Sequence, residues 1–327
     1  MRGILQILYR WIIERRNRQF DEGKRPVVQV TKPVVSVGNI TVGGTGKSPM
    51  VQMLVGMFIN QGMRPAIVLR GYRRRSKGLV VVHDGVNMLA SVDEAGDEAF
   101  MHASMLGIPV VVSSDKVEAA AYAAGNLPCD VIIVDDGFQH RALYRATDIV
   151  LVNDETFRSE LLPRGRLREP VSALGRATII VCTSDEQRQL VAPLVSPQTL
   201  VVLSDIEFEC AAPPATPVIL VCGIANPHRM KNSLETAGYT VVREFFFHDH
   251  HRYRTNDIWK IRDAAASHKA QVVTTNKDIA KIRAIDTSND LDTTSIHVAN
   301  ISMKIDDPAF TARILQDISH EDRNLEE

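Results

Sequence analysis

No apolar run in this 327-residue chain approaches the ~18 residues that a membrane-spanning helix requires, and the N-terminus lacks the small-residue cleavage site of a secretory signal. Neither an integral span nor export is therefore expected. Cysteine is scarce: Cys129, Cys182, Cys210 and Cys222 lie far apart, most of them in or beside apolar runs such as IIVCT and VILVCGI. That pattern argues against a disulfide framework or a C-x-x-C metal knuckle and fits buried thiols in a reducing compartment, the cytosol by preference. Net charge is lacking as well, 38 Lys and Arg standing against 39 Asp and Glu. No global basic field points to nucleic acid, so any attraction to an acidic surface must come from local clusters. Internal repeats and low-complexity tracts are missing too.

What remains is an ordinary globular composition over a length that favours two domains. From residue 33 short β-branched runs alternate with helical stretches: PVVSVG, AIVLR, IPVVVSS, DVIIVDD, DIVLVN, TIIVCT and TLVVL. Strands that are apolar throughout and separated by helices indicate βα units and a parallel sheet covered on both faces. The text changes at residues 205–217, DIEFECAAPPATP, which reads as an inter-domain connection. A smaller α/β series follows through VILVCGI, YTVVREFFF and QVVTT, and the charged end DISHEDRNLEE is expected to be loosely held. The expected organisation is an amphipathic helix over 1–25, a larger α/β domain over 26–207 and a smaller α/β domain over 208–327.

In MRGILQILYRWIIERRNR the residues Ile4, Leu5, Leu8, Trp11 and Ile12 recur at helical spacing, while Arg10, Arg15, Arg16 and Arg18 bunch toward the end. Such a helix can lie in a bilayer interface, with guanidinium groups drawn to anionic head groups. It can equally pack on its own domain with its cations at the favourable C-terminal end.

The stretch SVGNITVGGTGKSPMV follows an apolar strand and precedes an amphipathic helix, the setting of a phosphate-binding loop. Thr41 stands where the usual G-x-x-x-x-G-K-[ST] pattern has its first glycine. The loop residues Thr41, Val42, Gly43, Gly44, Thr45, Gly46, Lys47 and Ser48 are the expected nucleotide contacts. The glycines let the backbone approach an anion and the following helix presents its positive end. Lys47 would reach the β and γ phosphates and Ser48 would ligate Mg²⁺. The second half of such a site is an apolar strand ending in aspartate, and CDVIIVDDGFQH supplies Asp135 and Asp136 at a strand end. One carboxylate there can hold Mg²⁺ or its water.

Other clusters leave alternatives open. The basic loop LRGYRRRSKG, with Arg70, Arg73, Arg74, Arg75 and Lys77, could hold an anionic substrate, face a membrane or simply be solvated. The histidines of HDHH, 248–251, could chelate a metal, act in acid/base chemistry or serve the surface. TNKDIAK resembles the guanine-specific N-K-x-D signature, but its aspartate comes one residue early, so a guanine reading fails on spacing.

Taken in order, RNRQFDEGK, VGNITVGGTGKSP, RGYRR, AGDEAFMHA, IPVVVSSDK, DDGFQHRALYRATDIVLVN, LLPRGRLREP, GIANP, HDHHRY and TTNKD resemble the tetraacyldisaccharide 4'-kinase (lipid A 4'-kinase) family over roughly residues 10–280. The resemblance implies a P-loop kinase that uses ATP and Mg²⁺ to phosphorylate the 4'-hydroxyl of a tetraacylated glucosamine disaccharide 1-phosphate. It implies a peripheral location at the cytoplasmic face of the inner membrane, which favours the interfacial role for the first helix. It also implies that Asp97 of GDE, with His250, activates the sugar hydroxyl, and that Glu98, Asp135, Asp136 and Glu169 bind Mg²⁺ directly or through water. A monomer without nucleic-acid partners is expected. The chain departs from common family patterns at Leu69 and Arg73 of LRGYR, at Arg164 of PRG and at Asn276 of TNKD. The competing functions are a soluble small-molecule kinase and a nucleotide-driven switch, which would need no acceptor base.

Overall fold

The computed structural model describes residues 2–224, 227–249, 251–283, 285 and 296–326. Two sheets organise it. The first takes β1 (Val34–Gly38), β2 (Pro65–Leu69), β3 (Val80–His83), β4 (Val110–Val112), β5 (Val131–Asp135), β6 (Thr147–Leu151), β7 (Ile179–Cys182) and β8 (Leu200–Leu203), in the spatial order β3-β4-β2-β5-β1-β6-β7-β8. All neighbours pair in parallel except β3, which runs antiparallel to β4. Strands β1, β2, β4, β5, β6 and β7 are buried along their whole length. Continuous Val/Ile runs with no polar alternation demand this, because both faces must be covered. The edge strand β3 was not among the expected strands: it is half-buried and four residues long, too little for a clear signal.

The covering helices are α1 (Arg2–Asp21), α2 (Lys47–Asn60), α3 (Val92–Ala95), α4 (Asp97–Leu106), α5 (Lys116–Asn126), α6 (Asp154–Arg158) and α7 (Asp185–Val191). One apolar core gathers Met50, Leu54 and Phe58 of α2 with Val35, Ile67 and Ile133 of the sheet. A second lies on the other face, where Ala119, Ala120 and Ala123 of α5 meet Val68, Ile132 and Val134.

A second sheet of β9 (Asp205–Cys210), β10 (Pro217–Cys222), β11 (Thr240–Phe246), β12 (Gln271–Thr275) and β13 (Ile296–Lys304) has the order β11-β10-β12-β13-β9, with only β9 antiparallel. The helices α8 (Pro227–Thr236), α9 (Thr255–His268) and α10 (Asn276–Arg283) accompany it. The chain passes from β8 in one sheet to β9 in the other through Ser204 alone, so part of the expected connection is a strand.

The C-terminal segment also differs from expectation. It forms α11 (Pro308–Glu326), whose Phe310, Ile314 and Ile318 are buried in the first-sheet core together with Met303 of β13. Asp317 accepts from the Thr147 hydroxyl at 3.0 Å, and Arg313 donates to the Gln198 carbonyl at 2.9 Å. The charged residues of this segment had masked one apolar stripe of an amphipathic helix.

Candidate active site

The phosphate-type loop hangs between β1 and α2. At Gly38, the end of β1, an added Cβ would come within 2.6 Å of Phe138 Cβ, so the backbones after β1 and β5 lie together. Buried Asn39 donates from Nδ2 to the hydroxyls of Thr45 (2.7 Å) and Thr41 (3.3 Å), bracing the loop from within. Thr41 is 1% exposed and bridges to Leu167, and Val42 N–H donates to the Arg166 carbonyl at 2.8 Å. The residue that replaces a glycine therefore stitches the loop to the 159–168 segment. Gly43 and Gly46 adopt φ +116° and +93°, a region that side chains avoid. Gly46 is the N-cap of α2, and no side chain caps that first turn, a geometry suited to receiving an anion at its N–H groups.

At the end of β5 the two aspartates diverge. Asp136 takes a left-handed backbone (φ +53°), with Oδ1 3.5 Å from Lys47 Nζ and Oδ2 accepting from Arg168 at 2.7 Å. Burial acts to raise its pKa, but Lys47, Arg168 and Lys116 outweigh burial and lower it. Buried Lys116 donates to the backbone carbonyls of Asp135 (2.7 Å) and Asp136. Burial pulls its own pKa down to about 8, against the opposing pull of Asp136 and Asp135. Asp135 is buried, with Oδ2 3.8 Å from Nε2 of the fully buried His102 and Oδ1 lacking a protein hydrogen bond. Glu98 keeps an exposed edge yet is crowded by protein. Loss of bulk solvent and then Asp135 raise its pKa, while Lys277, His102 and Lys47 oppose them. Lys47, Glu98, Asp135 and Asp136 thus share one electrostatic neighbourhood.

Among the described residues no group of three or more His, Cys, Asp or Glu encloses a cation site. The unpartnered Oδ1 of Asp135 beside the loop fits Mg²⁺, which takes one or two protein carboxylates and completes its shell with phosphate and water. Glu169, also expected among the metal acids, is 1% exposed and accepts from Asn17 (2.7 Å), Gln139 (3.0 Å) and Arg176 (2.9 Å). Gln139 also donates to the Asn39 carbonyl at 2.9 Å, so Glu169 joins the loop to α1.

Asp97 opens α4 and its Oδ2 lies 3.4 Å from Lys281 Nζ on α10, which brings the two sheet units together. Gly96 before it has φ +84°, and a Cβ there would meet the Tyr72 carbonyl at 2.9 Å. The RGYRR loop consequently lies against the start of α4. Within that loop Arg74 donates to Gly78 and Val112 carbonyls and Arg75 pairs with Asp93 at 3.2 Å, while Arg70 and Lys77 are exposed. Asp93 also takes Arg252 at 2.6 Å. His250 lies outside the described residues. Its neighbour His251 stacks on Phe247 (4.2 Å between ring centroids) and shares a hydrogen bond of 3.2 Å with Asp257. Sequence reasoning missed Arg168, Lys116, His102 and Lys281. Arg168 and Lys116 sat inside quoted motifs, LREP and SSDK, but only the fold shows that they turn toward Asp136 and the end of β5.

A parallel α/β sheet with a glycine-rich loop after β1 and acids at the end of β5 defines a nucleotide-binding P-loop protein. The family model described as LpxK, tetraacyldisaccharide-1-P 4'-kinase, matches residues 3–319. Proteins named tetraacyldisaccharide 4'-kinase are similar over most of their length: that of Chlorobium luteolum is 38% identical, covering 83% of each chain, and that of Halothermothrix orenii is 33% identical, covering 96% of this chain and 91% of its own. The crystal structure of LpxK from Aquifex aeolicus in complex with ATP superposes with a TM-score of 0.79 at 29% identity, covering 96% of this chain and 97% of that one. The chain belongs to the LpxK family of tetraacyldisaccharide-1-P 4'-kinases.

Proposed function

We propose that this chain transfers the γ-phosphate of ATP to the 4'-hydroxyl of tetraacyldisaccharide 1-phosphate, working as a monomer at the cytoplasmic face of the inner membrane. The observation that carries the reading is the loop of a kinase family, whose Lys47 lies 3.5 Å from Asp136 and shares an electrostatic neighbourhood with Glu98, the residue after Asp97. In the reaction a bond forms between the acceptor oxygen and γ-phosphorus, the bond from γ-phosphorus to the bridging oxygen breaks, and ADP departs. Asp97 with His250 takes the hydroxyl proton. Residues 41–48 cradle the phosphates, and Lys47 balances negative charge that moves toward the leaving oxygens. Mg²⁺, when bound, would be held by Ser48 with Asp135 or Asp136, Glu98 acting through water, and would neutralise phosphate charge. Glu169 is assigned to the loop and α1 scaffold. The expected boundary at 207/208 falls inside β9, so we divide the chain at Ser204 instead, between β8 and β9, with α11 returning to pack on the first domain and residues 1–25 as the interfacial helix.

The membrane assignment is supported by α1. Its Asn17, Arg16 and Tyr9 bond to Glu169 and to the carbonyls of Gln139 and Arg168, whereas Ile4, Leu5, Leu8, Trp11 and Ile12 remain 48–74% exposed. The helix thus bonds to the domain through polar groups while its largest apolar side chains stay outside, unlike a surface helix that buries its apolar stripe. Replacing Leu8 and Trp11 by Asp is expected to weaken binding to anionic liposomes without lowering the melting temperature; unchanged binding would return α1 to a purely structural role. The activity itself is tested by incubating the protein with γ-labelled ATP, Mg²⁺ and the disaccharide 1-phosphate lipid. Labelled lipid is expected, and folded protein that yields none removes the proposal.

A further inference from the structure

Lys281 is 5% exposed, an unusual place for a lysine unless its charge is matched. Its Nζ lies 3.1 Å from Asp278 Oδ1 and 3.4 Å from Asp97 Oδ2, and it donates to the His251 carbonyl at 3.3 Å. The Tyr253 ring centroid is 5.5 Å away. Asp278 is fully buried, and its Oδ2 accepts from Gly223 N–H at 2.9 Å and from the Thr275 hydroxyl at 2.8 Å. Gly223 follows β10 and Thr275 ends β12, so Asp278 is clamped to the second sheet. Asp97 belongs to α4 of the other unit. A fold that needed only to neutralise Asp278 could have done so within its own domain; here the ammonium also reaches across to Asp97.

We propose that Lys281 is a positioning residue for phosphoryl transfer, holding the Asp97 carboxylate from one domain and the His251 main chain from the other in one arrangement. The inference rests on the reading of Asp97 as the group that activates the acceptor hydroxyl. Loss of Lys281 removes the ion pair that ties Asp97 to α10 and the bond to the His251 carbonyl, leaving Lys277–Asp249 to hold the histidine segment there. While Asp278 stays charged, repulsion between the two carboxylates adds to the displacement of Asp97. Lys281 touches neither the loop of residues 41–48 nor Asp136, so its action falls on the chemical step and spares nucleotide binding.

The test compares Lys281→Met, Lys281→Met/Asp278→Asn, Lys281→Arg, Asp278→Asn, Asp97→Asn and Asp97→Asn/Lys281→Met in the full chain. Transfer from γ-labelled ATP to the lipid acceptor gives kcat and KM, calorimetry gives ATP affinity, and thermal melting reports folding. The Lys281→Met/Asp278→Asn pair removes both buried charges together, which avoids an uncompensated carboxylate. Its kcat is expected to fall roughly 100-fold, the scale of a displaced catalytic group, with ATP affinity within about threefold of the parent. Lys281→Arg, which keeps the charge, is expected to recover to within about tenfold of the parent. In an Asp97→Asn background, loss of Lys281 should cost less than about twofold more, because the two act as a unit. Asp278→Asn leaves the ammonium to Asp97, so its kcat should stay within about threefold of the parent. A roughly 100-fold loss in an Asp278→Asn protein that melts like the parent overturns the proposal even if the Lys281 variants fail to fold. Near-parental kcat in folded Lys281→Met/Asp278→Asn beside a crippled Asp97→Asn also overturns it. Parental kcat in Asp97→Asn would instead remove the role given to Asp97.

Discussion

Replacing Glu169 by Gln separates a scaffold acid from a metal ligand. Three donors converge on this carboxylate from Asn17 Nδ2, Gln139 Nε2 and Arg176 Nη2, at 2.7, 3.0 and 2.9 Å. A carboxylate only accepts, whereas an amide presents an NH₂ group to at least one of these donors. Arg176 is itself largely enclosed and stacks 4.5 Å from the Phe138 ring centroid. Burial lowers its pKa and Glu169 is the charge that supports it, so the amide leaves a buried guanidinium without its anion. Breaking a buried pair in this way costs about 3–5 kcal/mol. At roughly 2 °C per kcal/mol for a chain of this size, the melting temperature should fall by about 6–10 °C. With the amide oxygen kept for Gln139 and the NH₂ group at the Oε2 position shared by Asn17 and Arg176, the tie to α1 is lost and that helix should also become sensitive to limited proteolysis near residue 17. Differential scanning calorimetry and a protease time course make the measurement, with Mg²⁺-dependent ATP binding followed alongside. An unchanged melting temperature combined with lost Mg²⁺ dependence would refute the scaffold argument and return Glu169 to the metal site.

Lys47→Met should lower kcat by at least about 100-fold, the usual scale for removing a preorganised charge, while leaving melting unchanged; activity within a few-fold of the parent would place the phosphates elsewhere. Gly165→Ala puts a Cβ 2.2 Å from the Glu160 carbonyl oxygen and 2.4 Å from its nitrogen. Backbone cannot yield there, so the 159–168 segment that holds Val42 and Asp136 should distort and ATP affinity measured by calorimetry should drop; parental affinity would show the segment to be irrelevant. Asp130 is held down to about 2 from 3.8, chiefly by its hydrogen bonds with the Arg64 side chain. Its contribution to stability is present above pH 3.8 and is lost as pH falls through about 2. It is small because Arg64 is exposed. A carboxyl NMR titration should show the Asp130 midpoint near 2, moving toward 3.8 in Arg64→Ala, and an unmoved midpoint would exclude Arg64 as the cause.

The sequence by itself determined the features carried by neighbours along the chain. Val34 to Gly38 and Val131 to Asp135 are strands because β-branched residues without polar alternation suit a sheet buried on both faces. Gly43, Gly46, Lys47 and Ser48 announce a phosphate loop because glycine backbone freedom and a helix start are local properties. Period alone likewise located the apolar stripe of α1. Tertiary structure decided whatever depends on which distant groups share a low-dielectric space. It turned the apolar stripe of α1 outward by giving its polar face to Glu169, Gln139 and Arg168. It returned α11 to the first core through Phe310, Ile314 and Ile318, although their neighbours are charged. It also set Lys281 between Asp278 and Asp97. Nothing within a few residues of a lysine specifies which carboxylate will neutralise it, because that choice is made by packing between elements far apart in the chain.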